Sequence, residues 1–283
     1  MILYGLTAIL GDLISLSALH LVWWRVMLTS LSLLFFVGFG RQILNIPRKD
    51  LWSFIGIGAI VAFHWVTFYG GVKLANASVT LVALATTSLF TSLLEPLLTD
   101  KKLDFIEVFI GLLIIPPLLL IANNIDLSMI RGFQVALLSA FLAAIFSTLN
   151  KKLVDKANSY QITFVEMASA FVFISLFIPF LTSDYTSLIP QKKDWLYLIF
   201  LSLGCTTFAF IITMKALKHV SAFDANLVIN LEPVYGIILA IVLLKENTEL
   251  STRFYWGALL ILLIVFSHPL IKKYKTKKND IRP

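Results

Sequence analysis

Lys49-Asp50-Leu51-Trp52 returns as Lys193-Asp194-Trp195-Leu196, and Lys73-Leu74-Ala75-Asn76-Ala77-Ser78 returns as Ala216-Leu217-Lys218-His219-Val220-Ser221 at nearly the same offset. Each pair brackets an apolar run, so the chain reads as a duplication. Working outward from it, the 283 residues are 59% hydrophobic and only 14% charged, and the charges come in clusters between apolar stretches. A soluble domain of this length carries far more charge. Runs of about 20 apolar residues, each long enough to cross a hydrocarbon core of about 30 Å, recur along the whole chain.

Ten such segments are predicted, at 1–15, 18–39, 51–72, 76–98, 104–123, 129–150, 159–182, 195–216, 220–244 and 254–271. They are too long and continuous for the alternating strands of a barrel, so the expected fold is an all-α membrane protein of ten transmembrane helices. The first run is short for a full span, and the reading expects a start upstream of Met1. The repeat boundary falls near Asn124–Ser128. This gives a first five-helix unit at 1–125, a second at 126–271 and a basic cytoplasmic tail at 272–283. Five is odd, so the second unit must enter the membrane from the opposite side, which makes the repeats inverted. Inverted repeats place a polar pocket near the midplane between them.

The net charge of +7 fits membrane topology rather than nucleic acid. With the N-terminus inside, Arg41, Arg48, Lys49, Lys101, Lys102, Lys151, Lys152, Lys156, Lys215, Lys218 and the basic tail all fall on one side. Only Lys73, Arg131, Lys192, Lys193, Lys245 and Arg253 fall on the other. By the positive-inside rule both termini are cytoplasmic, in the cytoplasmic (inner) membrane. Trp52, Trp195 and Trp256 begin spans, as interfacial aromatics do. The lone Cys205 excludes an internal disulfide.

A charge in hydrocarbon costs at least about 2.5–3.5 kcal/mol, so each intramembrane ionisable group needs a reason. Arg25 and Glu166 sit at equivalent depths of the second and seventh spans. They read as a solute- or gate-contacting pair, as a buried strut, or as lipid-facing. Glu232-Pro233 lies near the middle of the ninth span, where proline frees a backbone carbonyl, with Asn226, Asn230 and Tyr235 nearby. Asn226 and Asn230 are one i,i+4 step apart and share a face. Thr86, Thr87 and Ser88 occupy the equivalent depth of the fourth span, and Glu95-Pro96 reads as its inner end. His64, Trp65 and Tyr69 line the third span; His64 leaves protons open as a coupling ion. His20 and Asp12 are expected in solvent. No HExxH, CxxC, P-loop or GxSxG pattern occurs, nor carboxylates at metal spacing, so no catalytic residue, metal or cofactor is expected.

Trp23-Trp24-Arg25, His64-Trp65, the Lys73–Ser78 stretch and Asn230-Leu231-Glu232-Pro233-Val234-Tyr235-Gly236, with Glu246 ending its span, resemble the EamA-like ten-helix exporters of the drug/metabolite transporter superfamily. The resemblance implies two inverted five-helix repeats, a central cavity, and export of amino acids or related small metabolites by a secondary carrier. Leu89 departs from it, standing where such proteins often carry a proline. The partners expected are a small-molecule solute and the lipid bilayer. An integral-membrane enzyme acting on a lipid-linked substrate and a channel-like facilitator are the alternatives.

Overall fold

The computed structural model describes residues 2–38, 40–181, 188–229, 232–245 and 250–279, and all regular structure among them is helical. The helices are α1 (Ile2–Leu13), α2 (Ala18–Leu34), α3 (Arg48–Leu74), α4 (Ala77–Leu84), α5 (Thr87–Leu98), α6 (Phe105–Leu113), α7 (Ile115–Ala122), α8 (Ile130–Leu153), α9 (Ser159–Leu181), α10 (Lys192–Ser202), α11 (Ala209–Leu217), α12 (Ala222–Ile229), α13 (Glu232–Leu239) and α14 (Thr252–Asn279). Five segments are long and apolar enough to cross a membrane: Arg48–Leu74, Ala77–Leu98, Leu127–Leu153, Ser159–Phe180 and Lys192–Leu217. Five shorter apolar helices, Leu3–Leu13, Ala18–Leu34, Phe105–Ile121, Tyr235–Leu244 and Thr252–Ile264, occupy the remaining predicted spans.

Four spans are interrupted, and the sequence explains three of the breaks. Between α4 and α5, the Thr86 and Thr87 hydroxyls donate to Ala83 O and Leu84 O at 2.7 Å, in competition with the backbone ladder. Between α6 and α7, Pro116 and Pro117 bring no backbone N–H. Between α10 and α11, residues Leu203–Phe208 form a π turn. There Thr206 Oγ1 and Thr207 Oγ1 donate to Leu201 O and Ser202 O, five residues back, at 2.7 and 3.0 Å. The fourth break separates α12 from α13, which begins at Glu232.

Three of the five spans of the first repeat pack on their equivalents in the second. α2 lies on α9, α5 on α12, α4 on α13 and α7 on α14, while α3 crosses both α8 and α9. With five spans in each half of an alternating bundle, the second repeat runs inverted relative to the first. Small residues allow the closest approaches. A Cβ on Gly58 of α3 would fall 1.9 Å from Ser169 Oγ and 2.4 Å from Glu166 O on α9, so only glycine fits there.

Lysines tie equivalent junctions on opposite faces. Lys73, ending α3, donates to Asp12 O and Ile14 O at 3.1 and 2.6 Å, and Lys151, near the end of α8, donates to Leu217 O at 2.7 Å. The repeated Lys-Asp motif also has a local purpose. Asp194 accepts from Gln191 N, which fixes the start of α10, and from Ser15 N at 3.1 Å, which anchors the α1–α2 turn.

Three boundary expectations are corrected. α2 stops at Leu34 instead of running to residue 39, because Gly38 and Gly40 take φ of 58° and 88° and turn the chain. His20 is buried rather than solvated, one turn into α2 behind the capping Ser17. α14 continues past residue 271 to Asn279. Trp52 and Trp256 are 70% and 60% exposed on the outside of the bundle.

Candidate functional site

A cavity of about 870 Å³, counting its open mouth, lies between the repeats. Its walls come from α1 (Tyr4, Thr7), α2 (Arg25), α3 (His64, Trp65, Phe68), the α4–α5 break (Leu84, Thr87), α8 (Ala143, Phe146, Ser147), α11 (Phe210, Thr213, Met214, Leu217) and α12–α13 (Ala225, Asn226, Ile229, Glu232). The start of α1, the ends of α8 and α11 and the start of α12 share one face of an alternating bundle. The cavity extends towards that face. Towards the other face the lining from α1 ends at Thr7 and that from α3 at Phe68.

Arg25 is 2% exposed and held on three sides. Nε donates to Thr206 Oγ1 at 2.7 Å, one Nη donates to Tyr69 Oη at 2.8 Å, and Cζ lies 3.8 Å from the centroid of the Trp65 ring. A guanidinium keeps its charge under all ordinary conditions. Two oxygen acceptors and an aromatic face offset part of its desolvation, the latter by about 0.5–2 kcal/mol. The π turn is what aims Thr206 at it. The neighbouring tryptophans point elsewhere, as successive helical positions 100° apart must. Trp23 Nε1 donates to Ser175 Oγ at 2.8 Å and Trp24 Nε1 to Leu188 O at 2.7 Å.

Glu232 begins α13, is 4% exposed and accepts from Thr7 Oγ1 at 3.3 Å. Arg25 and Glu232 come from different halves, line the same cavity and form no ion pair with each other. The space between them thus has a guanidinium on one wall and a carboxyl group on the other, with Phe68, Phe146 and Phe210 as an apolar side. Asn226 spends its amide hydrogens on Thr91 Oγ1 (2.8 Å) and Ser147 Oγ (2.7 Å), joining α12 to α5 and α8. His64 Nδ1 lies 2.9 Å from both the carbonyl oxygen and Oγ of Ser139.

Arg25, His64, Trp65, Thr87, Asn226 and Glu232 are therefore gathered in one cavity, with Tyr69 behind Arg25. Two expected members lie elsewhere. Glu166 does not meet Arg25; it is fully buried behind the wall, where α9 crosses α3, and accepts from Asn150 Nδ2 at 3.3 Å. Tyr235 is 38% exposed on the outside of α13, its Cβ against Gly5 of α1. Asn230 lies outside the described residues, as does Glu246.

Glu95 also differs from its reading as a plain helix end. It is 2% exposed, accepts from Ala222 N and Phe223 N at 2.8 and 3.1 Å, and pairs with Lys101 at 3.0 Å. It thereby caps α12 from across the repeat interface. Lys101 also pairs with Glu107 at 2.8 Å.

The model of the EamA-like transporter family matches residues 1–123 and again residues 130–267. The chain belongs to the EamA-like transporter family. This places it in the drug/metabolite transporter superfamily, as a multi-pass helical membrane protein built of two repeats. Twenty-six solved chains match it. One crystal structure among them superposes with a TM-score of 0.69 at 16% identity, over 93% of this chain and 92% of that one, and shares the fold. No curated protein matches. In this EamA-like transporter the sequence reading did not single out Tyr4, Thr7, Ser147 and Thr213, lone hydroxyls with no motif around them. Tyr4 Oη and Thr213 Oγ1, 2.7 Å apart, close the wall beside Glu232.

Proposed function

We propose that this chain is a secondary transporter carrying amino acids or related small metabolites across the cytoplasmic membrane by alternating access through the central cavity. One observation carries the reading: an arginine from one repeat and a glutamate from the other face a common cavity without pairing. A solute with an acidic group, an amine and an apolar body offers a counter-charge to Arg25 and a hydrogen-bond donor to Glu232, and covers the aromatic wall. The charges on the loops support cytoplasmic termini, and the cavity then extends towards the cytoplasm, the loading side for an exporter. The two repeat units are 1–125 and 126–271, and 272–283 is a basic segment beside anionic lipid. The working partners are the solute and the bilayer; nucleic acid has no part, and the chain acts as a carrier, not as an enzyme.

Counterflow in liposomes tests this. Radiolabelled amino acids offered singly to vesicles loaded with the same solute should give saturable exchange for at least one of them. Glu232→Gln should lower that exchange at least about tenfold, the worth of one ~1.4 kcal/mol contact, while inserting normally. Unsaturable flux, or exchange unchanged in Glu232→Gln, refutes the proposal.

A further inference from the structure

Glu166 is unused by the cavity and poses a problem of its own. Its side chain is fully buried, and its one side-chain partner is a neutral amide, Asn150, itself fully buried. Asn150 Nδ2 donates to Glu166 Oε2, which leaves Glu166 Oε1 and Asn150 Oδ1 both without a donor. Two buried acceptors cannot satisfy each other.

No cation relieves this among the described residues. On the helices around α9, Arg25 is bound to Thr206 and Tyr69, and His64 to Ser139. Lys73 is bound to the end of α1, Lys151 to Leu217 O, and Lys215 lies over the Tyr160 ring. Arg48, Lys49 and Asp50 stand at the start of α3, eight to ten residues before Gly58, where α3 meets Glu166. An isolated carboxylate so placed would cost far more than the fold can bear, and the group takes up a proton instead.

We propose that Glu166 and Asn150 form a proton-binding site, separate from the solute cavity. The carboxyl is the neutral acid: its Oε1–H donates to Asn150 Oδ1 while Asn150 Nδ2–H donates to Oε2. One added proton satisfies both orphaned acceptors and closes a two-hydrogen-bond ring between acid and amide. The site joins the end of α8 to α9 within the second repeat, with α3 of the first repeat packed against the Glu166 backbone. The site is independent of which solute the cavity takes.

Infrared spectroscopy of the full chain in lipid vesicles at neutral pH tests it. The spectrum should contain a protonated-carboxyl C=O band that shifts down in D2O. The component of the band that belongs to Glu166 should be lost in Glu166→Gln, measured as a mutant-minus-native difference, and persist in Glu232→Gln. Asn150→Leu, which keeps the acid but removes its amide partner, should move the band to higher frequency, and this arm decides if Glu166→Gln does not fold. Loss of carboxylate bands in place of an acid band in Glu166→Gln, or an unmoved band in Asn150→Leu, overturns the proposal.

Discussion

Glu95→Ala removes a capping group that belongs to another span. In the native chain the carboxylate accepts two backbone N–H groups at the start of α12 and pairs with Lys101. Each hydrogen bond to a charged acceptor contributes about 1.5–3 kcal/mol. Truncation removes the carboxylate that both buried N–H groups bond to. The Lys101 pairing adds less, because that side chain is 27% exposed and part of its charge is screened. The two backbone bonds alone put the loss at about 3–6 kcal/mol. Glu95→Gln keeps one acceptor oxygen but presents an amide to the second N–H, so it should lose about half as much. Reversible unfolding in mixed micelles, followed by tryptophan fluorescence, measures both. A loss below about 1 kcal/mol for Glu95→Ala would refute the capping assignment, as would equal losses for the two variants.

Two further outcomes are expected. Gly58→Ala should destabilise the chain by about 1–3 kcal/mol, since the new methyl group displaces Ser169 and the α9 backbone; the double variant Gly58→Ala/Ser169→Gly should recover part of that loss in a thermal melt. Burial alone would lower the Lys101 ammonium, but hydrogen bonds to Glu107 and Glu95 and their charges outweigh it and hold the group above its ordinary 10.5. A raised folded value stabilises the protein below about pH 10.5 and is lost as pH rises further, so the melting temperature should fall more steeply on that limb than in Lys101→Met.

The span pattern was legible because apolar runs of membrane length announce themselves, and the duplication because Lys-Asp and the α3–α4 junction are written twice. Arg25 and Glu232 were legible for a related reason: a charge in hydrocarbon demands a polar wall. Depth alone misled for Glu166. Residues at matching depth on two helices can point to opposite sides, since each step round a helix is 100°. Tyr235 shows the same effect at closer range, about 60° round from Glu232 and already outside. Thr7, Ser147 and Thr213 were illegible because a lone Ser or Thr hydroxyl on a helix usually returns its hydrogen to its own backbone, as Thr213 does with Ala209 O at 3.0 Å. Glu95 was hidden because its partners are backbone atoms more than a hundred residues away.

The π turn at Leu203–Phe208 carries one residue more than an ordinary helix needs over that length. Excising a single codon there would leave both ends of the span in place, yet swing Thr206 about 100° away from the guanidinium it steadies. A lineage could in this way retune the electrical character of its chamber without rebuilding any scaffold around it.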